Sequence, residues 1–507
     1  MPRRTLTSLL VLGVAALLAP SPTTAGAAPR AAAGLTPGSQ PNVVLIMTDD
    51  MAKSDLKWMP KTRRLLGRAG MTFEQGLAPN PLCCPARASV LTGQESHNNG
   101  VWSNKAAHGG FGALSEAPRL PEWLQAAGYR TALLGKHLNG YTSADAAEEP
   151  GWDILDSLVR GVYAYRSFTT WDDGRLHPER GYVTSYLEDR TEQVIREFDL
   201  SDRDPFFLWV SHVGPHNAYR RRCACWTPPI PAEQDQGDFA GVRSPTRDLP
   251  SYNSRNRDDK PPFMRELPRV SAAQIDKTFQ RRIESLQSVD RSVAATVQQL
   301  RESRELDKTM LVFTSDNGYL LGQHRLTGKW LPYEESLRVP LLVRGPGVPA
   351  GATTDHLTTT VDLNRTIADL ADATAPYALE GASIVPALTD PTASPARTST
   401  ILQTGALISY EGDGSGIEDE VGDQGWLYRG YRDLRYTYVK YPDGSGESTE
   451  AFEELYDRRR DPYQLDNVAG SEAYADVLAQ ARTRAEALRT CLGATCHQAW
   501  ERLPAPR

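Results

Sequence analysis

The sequence predicts an α/β protein: a large, mostly parallel sheet sandwiched by helices, followed by a smaller C-terminal α+β subdomain. Two observations predict it. From Asn42 to about residue 390, short apolar runs with β-branched residues alternate with helical patterns, the order that builds a parallel sheet covered on both faces. Beyond that point the alternation stops, and short antiparallel strands with one closing helix take over. A chain of 507 residues has room for one large core and a satellite.

Taken in order, the elements begin with an export signal. Arg3 and Arg4 precede the apolar run Leu9 to Ala19, and small residues follow at Ala25-Gly26-Ala27. This reads as a signal peptide over 1–28, with a Sec or a twin-arginine route open, and implies a secreted or extracytoplasmic protein. Residues 29–40, rich in Ala, Gly and Pro, read as a disordered lead-in to a catalytic domain over 41–390. No other segment is apolar and long enough to suggest a membrane partner.

Four predicted strands end in polar residues. Val43 to Met47 runs into Thr48-Asp49-Asp50, and Thr131 to Leu134 into Gly135-Lys136-His137. Phe206 to Val210 leads to Ser211-His212 and then His216, while Met310 to Phe313 leads to Thr314-Ser315-Asp316-Asn317-Gly318. In open α/β sheets, ligands bind beyond the carboxyl ends of the strands, so four such endings point to a site. Before the last strand, Ile275, Phe279, Ile283, Leu286, Val289, Val293, Val297 and Leu300 step by three and four, which predicts a long amphipathic helix. Residues 217–269 lack periodicity and read as a long loop excursion beside the site. In the subdomain predicted over 391–507, Tyr428 to Tyr441 and the surroundings of Leu455-Tyr456-Asp457 read as antiparallel strands, and Ala473 to Leu488 as a helix.

A net charge of -7 gives no reason to expect nucleic acid as a partner. Six cysteines suit an oxidising compartment without forming a disulfide scaffold for a chain of this size. Cys491 and Cys496 are spaced to close a short loop; Cys223 and Cys225 stand so close that a bond between them is strained.

Asp49, Asp50, Asp316 and Asn317 are oxygen donors, the set that Ca²⁺ prefers over zinc or copper. Taken singly, Asp-Asp and Asp-Asn-Gly are also ordinary turn sequences. The segment Cys83-Cys84-Pro85-Ala86-Arg87-Ala88-Ser89-Val90-Leu91-Thr92-Gly93 is the most specific signal. Pro85 suits a first helical turn and Gly93 a helix stop, which places Cys83 at a helix N-terminus whose dipole and N–H groups favour anions. Arg87, one turn in, points back to the same place.

This segment resembles the sulfatase signature Cys-x-Pro-(Ser/Ala)-Arg-x-x-x-Leu-Thr-Gly at every fixed position, and the resemblance spans nearly all of 41–390. Leu455-Tyr456-Asp457 with Asp461-Pro462 resembles the usual sulfatase C-terminal motif. Leu82 to Pro85, Gly135 to Asn139, Thr314 to Tyr319 and Val339 to Gly347 are similar to N-acetylglucosamine-6-sulfatases and bacterial arylsulfatase relatives. The resemblance implies an alkaline-phosphatase-like fold and sulfate ester hydrolysis by a formylglycine made from Cys83. A formylglycine-generating enzyme would be a partner during maturation. It further implies one calcium ion bound by Asp49, Asp50, Asp316, Asn317 and the modified Cys83. Arg87 and Lys136 would steady the formylglycine hydrate; His216 and Lys329 would hold the sulfate of a small molecule or glycan. Cys83 rather than Cys84 takes the role because Pro85 stands two places after it.

The chain departs from a common Lys-x-His pattern, since Leu138 stands two places after Lys136; His137 and Asn139 are the neighbours that could substitute, and His212 and His324 lie near motif positions. Phosphodiesterase or phosphonate monoester hydrolase activity on the same scaffold is an alternative, as is non-catalytic binding of sulfated glycans. Between Asn217 and Arg269, ten Lys or Arg outnumber seven Asp or Glu. Arg220, Arg221 and Arg222 are either a solvated basic run or a rim that favours substrates with additional negative charge.

Overall fold

The computed structural model describes Met1 and residues 40–105, 108–200, 204–405, 426–441 and 451–507. Apart from Met1 and Gln40, the export-signal and lead-in readings fall on residues outside that set. Among the described residues, no helix is long and apolar enough to cross a membrane.

The main sheet has ten strands. Its centre is four parallel neighbours in the order Thr309–Ser315, Asn42–Thr48, Phe206–Ser211, Arg130–Gly135. Ile154–Arg160 continues the parallel run, and Ser167–Asp172 and Arg175–Arg180 complete that side as an antiparallel meander. On the other side, Leu341–Arg344 is inserted antiparallel between Thr309–Ser315 and Met71–Leu77, and Ala352–Thr359 closes the edge in parallel with the latter.

Alternation along the strands explains why the apolar runs are continuous. Val43, Leu45 and Met47 enter one core, together with Leu133, Trp209 and Val312. Val44 and Ile46 enter the other, with Leu134, Val210 and Phe313. Helices Cys83–Thr92 and Thr360–Ala371 supply the first layer, and Val183–Asp199 and Ala272–Glu302 the second. A strand buried on both faces has no polar side to show.

The C-terminal region is a four-stranded antiparallel sheet, in the order Ser399–Thr404, Tyr428–Asp433, Tyr436–Tyr441, Phe452–Asp457. Helix Ala475–Arg489 packs on it through Val477, Ala481 and Leu488. Its other side shares apolar contacts with the larger body, where Leu402, Tyr428 and Tyr456 meet Leu77, Leu337 and Leu357.

The segment 217–269 is mostly irregular, as its composition suggested, but it opens with a two-stranded ribbon, Ala218–Arg220 against Cys225–Thr227. A disulfide joins Cys223 to Cys225, and another joins Cys491 to Cys496. Only the second was a ready expectation from spacing.

Candidate active site

The register of the central strands levels their carboxyl ends: Thr48 is opposite Ser315, and Gly135 opposite Ser211. Whatever follows each strand therefore arrives at one edge. Asp49 and Asp50 come from the first, Asp316 and Asn317 from its neighbour, and Lys136 and His216 from the other two. Asp50 has φ 67°, a left-handed conformation that costs a non-glycine residue energy and is typical of functional positions. Its backbone is over-determined: the N–H donates to Asp316 Oδ1 at 3.1 Å, and the carbonyl accepts from Arg282 at 2.5 Å.

Cys83 begins the helix Cys83–Thr92 and is fully buried. Its sulfur lies 3.3 Å from Asp49 Oδ1, 3.9 Å from Asp50 Oδ1 and 2.8 Å from Lys329 Nζ. The helix stops where Gly93 takes φ 67°; there a Cβ would meet Asn364 Oδ1 at 2.4 Å. The N-terminus differs from the sequence expectation in one respect. The Cys84 N–H is taken by Asn104 Oδ1 at 2.9 Å, and Pro85 has none, so the helix end offers its dipole more than a row of donors.

Cations interleave the carboxylates. Lys136 Nζ reaches Asp49 Oδ2 at 2.5 Å, and Lys329 Nζ reaches Asp50 Oδ1 at 2.5 Å. Arg87 Nε donates to Asp316 Oδ2 at 2.9 Å, while its Nη1 holds the Lys136 carbonyl at 3.0 Å and the Ser211 hydroxyl. Nη2 of Arg87 is buried without a partner. His216 Nε2 stands 3.6 Å from Asp50 Oδ2, and its Nδ1 is 2.7 Å from the Asn217 carbonyl.

Burial raises the Asp49 carboxyl, but Lys136, with His216, Arg87 and Lys329, more than reverses this and holds it well below the usual range. Asp316 is instead pushed up to about 6 by burial and by Asp49, against Arg87. Burial and Asp49 also push the Cys83 thiol well up, despite Lys136 and Lys329. A thiol held protonated is a weak nucleophile.

Ligand atoms of Asp49, Asp50, Cys83 and His216 all lie within 4.8 Å of one another, every one of these residues being at least largely buried. Asn317 donates through Nδ2 to Asp50 Oδ1 at 2.8 Å, and its Oδ1 is buried without a partner. Three carboxylates and an orphaned amide oxygen make a donor set that fits a hard divalent cation.

All the site residues named from the sequence thus meet at one edge, while the neighbouring histidines do not. His137 places Nε2 3.3 Å from Glu149 and stacks on Tyr141. His212 faces Ser292 of the long helix at 3.5 Å, and His324 stacks on Tyr333. Burial pushes His212 down to about 4 and His324 to about 3. Asn139 donates to the Tyr163 hydroxyl at 3.3 Å, and Tyr163 stacks on His216 with Lys136 Nζ 5.0 Å from its ring centre.

Sequence reasoning missed Tyr163 and Arg282. Tyr163 carried no signal. Arg282 did: it sits three residues after Phe279 and four before Leu286, in register with the apolar stripe. A fully buried arginine there pairs with Asp55 at 2.8 Å and braces Asp50.

Fold and cluster together define an alkaline-phosphatase-like hydrolase. Residues 41–373 match the family described as Sulfatase, and 322–491 match the one described as N-sulphoglucosamine sulphohydrolase, C-terminal. The chain is 31% identical to the N-acetylglucosamine-6-sulfatase of Capra hircus, over 91% of this chain and 86% of that one. It is 33% identical to the extracellular sulfatase SULF-1 homolog of Drosophila melanogaster, over 69% of this chain and 31% of that longer protein. The structure of BT4656 in complex with its substrate D-glucosamine-2-N,6-O-disulfate superposes with a TM-score of 0.71, at 23% identity, over 88% of this chain and 97% of that one. The chain belongs to the sulfatase family and is a sulfuric ester hydrolase.

Proposed function

We propose that this protein is exported after removal of residues 1–28 and removes the 6-O-sulfate of N-acetylglucosamine glycans, and sulfate from small aryl esters. It does so through a formylglycine formed from Cys83, beside one calcium ion held by Asp49, Asp50, Asp316 and Asn317. The observation that carries this reading is the placement of Cys83, fully buried, between two aspartates and Lys329 at the strand ends. Its similarity to N-acetylglucosamine-6-sulfatase over most of both chains supports the substrate.

A thiol or a serine hydroxyl at position 83 has one nucleophilic atom, so it could accept the sulfuryl group without a second group to release it. The hydrate of an aldehyde supplies two hydroxyls. The oxygen of one bonds to sulfur as the ester S–O bond breaks and the alcohol leaves with a proton. The other loses its proton as the C–O bond to the sulfate breaks, which releases sulfate and re-forms the aldehyde. Calcium, when bound, supplies positive charge that favours the ionised hydroxyl and the sulfuryl oxygens. Lys329 Nζ, 2.8 Å from the end of side chain 83, donates to an oxygen of the transferred group, with His216 at the outer side. Lys136 holds Asp49 ionised and Arg87 holds Asp316 in place at 2.9 Å, so the positions of these charges are fixed before the transition state forms.

The test is the mass of the peptide containing residue 83 together with metal removal. The peptide should carry the aldehyde, and the enzyme should release sulfate from N-acetylglucosamine 6-sulfate. Activity should vanish on prolonged chelation and return with calcium better than with zinc. Full turnover by protein whose residue 83 is entirely thiol, or whose metal is verified absent, overturns the mechanism.

A further inference from the structure

The charged centre is closed to solvent: Cys83 and Asp49 are 0% exposed, Lys136 2% and Lys329 6%. Exposure begins at His216 and Tyr163, both half-buried and stacked at 4.2 Å. Immediately outside them stands Trp226, edge-on to His216 at 5.5 Å and to Tyr163 at 5.3 Å. Tyr219 supports it from the opposite strand of the ribbon at 5.2 Å. The turn of the ribbon contains the Cys223–Cys225 disulfide, and its exposed tip carries Arg220, Arg221 and Arg222. None of the three guanidinium groups has an ion-pair partner among the described residues. Two acceptor oxygens without partners border the same rings, Oδ1 of Asn139 beside Tyr163 and Oδ1 of Asn217 next to His216.

We propose that the ribbon 218–227 is a subsite for the glycan beyond the sulfate: Trp226 packs on the ring of the sugar that carries the cleaved sulfate, and the arginine tip binds a second anionic group one sugar away. The inference rests on the sugar-sulfate reading given above and adds to it a requirement for a further negative charge. An aromatic ring offers a flat, apolar face to the C–H side of a pyranose. Guanidinium groups recognise sulfate or carboxylate oxygens in pairs and lose little by staying exposed until the ligand arrives. The strand pairing of the ribbon, Arg220 opposite Cys225 and Tyr219 opposite Trp226, sets the first arginine at a fixed place beside the indole, which lowers the ordering cost of binding. The order from nucleophile outward (buried charge, then aromatic rings, then exposed arginines) follows the order of groups on such a chain.

The experiment compares wild type, Trp226→Ala, Trp226→Phe and the triple variant R220Q/R221Q/R222Q. The substrates are an aryl sulfate, N-acetylglucosamine 6-sulfate, and an oligosaccharide bearing that 6-sulfate and one further sulfate. The triple variant should raise the ratio of KM for the doubly sulfated substrate to KM for the singly sulfated sugar by about ten-fold, the loss of one charge-assisted contact. It should also abolish the steeper salt dependence of the doubly sulfated substrate. Trp226→Ala should raise KM for both sugars about ten-fold at nearly constant kcat, and Trp226→Phe should recover most of it. Variants that shift all three substrates alike overturn the subsite while leaving the sulfatase reading intact. A wild-type enzyme that turns over the aryl ester and neither sugar overturns the sugar reading and the subsite with it.

Discussion

The two ends of helix Cys83–Thr92 are both buried among acids, and they solve the problem differently. At the N-terminal end, Asp49, Asp50 and Asp316 face Lys136, Lys329 and Arg87 one to one. At the C-terminal end a single fully buried arginine, Arg397, lies 2.6 Å from Asp362 Oδ1 and 4.0 Å from Glu95 Oε1, and the Glu380 carboxylate adjoins Glu95 by accepting from its N–H. The first cluster keeps Asp49 ionised. In the second, burial pushes Glu95 up to about 8 and Glu380 up to about 7. Asp316 of the first cluster rises only to about 6 despite the same burial. So where each carboxylate has its own cation, negative charge is largely retained; where cations are short, protons take their place. On the proposed mechanism, one end of the helix serves reaction and the other holds the body together.

The sharpest way to break this comparison is to damage each end and ask which property falls. Cys83→Ala should abolish turnover completely while leaving the denaturant midpoint near that of wild type. Cys83→Ser should at best make a single sulfated adduct, visible by intact mass. Cys84→Ala should keep most of the activity, because Cys84 is a core residue of the first layer. A dead Cys84→Ala beside an active Cys83→Ala would reverse the roles of the two cysteines.

Arg397→Ala should do the opposite. It strands buried carboxylates that now share one guanidinium, and breaking a buried pair from one side costs roughly 3–5 kcal/mol. The folded fraction should still turn over, since no residue of the Cys83 cluster touches Arg397. Urea titration measures the loss directly. A cost below about 1 kcal/mol, in the range of surface pairs, would mean that the Arg397–Asp362 pair does not hold this end of the helix together.

The two ends were not equally legible in the sequence. The active end was, because its residues follow strands whose apolar runs announce them, and because a signature of fixed spacing names Cys83 and Arg87. The parallel centre of the sheet followed from the same runs. The antiparallel insertion of Leu341–Arg344 did not, since strand order and direction are set by distant partners. Nor did the second cluster: Glu95, Asp362, Glu380 and Arg397 come from four separate segments, and each alone looks like a solvated charge. Arg282 lies between these cases. Its place within an apolar stripe was visible, but its partners Asp55 and the Asp50 carbonyl were not.

The smallest effect, and the finest test of the comparison, is the pH dependence that Glu95 imposes. Burial raises its pKa to about 8 from an ordinary 4.5; Arg397 opposes this, while Glu380 and Asp362 add to it. Glu380 cannot relieve it, because its own oxygens are engaged by the Glu95 N–H and the Asn98 amide, both at 2.6 Å. A group that binds its proton more tightly when folded favours the folded state most when that proton is present. The contribution of Glu95 is therefore complete below about 4.5 and is lost as pH rises through about 8. Glu95→Gln keeps the shape and removes the titration, so wild type should lose stability relative to this variant across that window, and the variant's own profile should be flatter. Glu380, raised to about 7, leaves a residual slope that ends earlier, and Glu380→Gln in the same background should remove it. Denaturant midpoints of wild type and Glu95→Gln at several pH values decide the matter. A constant difference between them from acid to alkaline pH would mean that Glu95 stays ionised beside Arg397, and the two ends of the helix would then manage their charge in the same way.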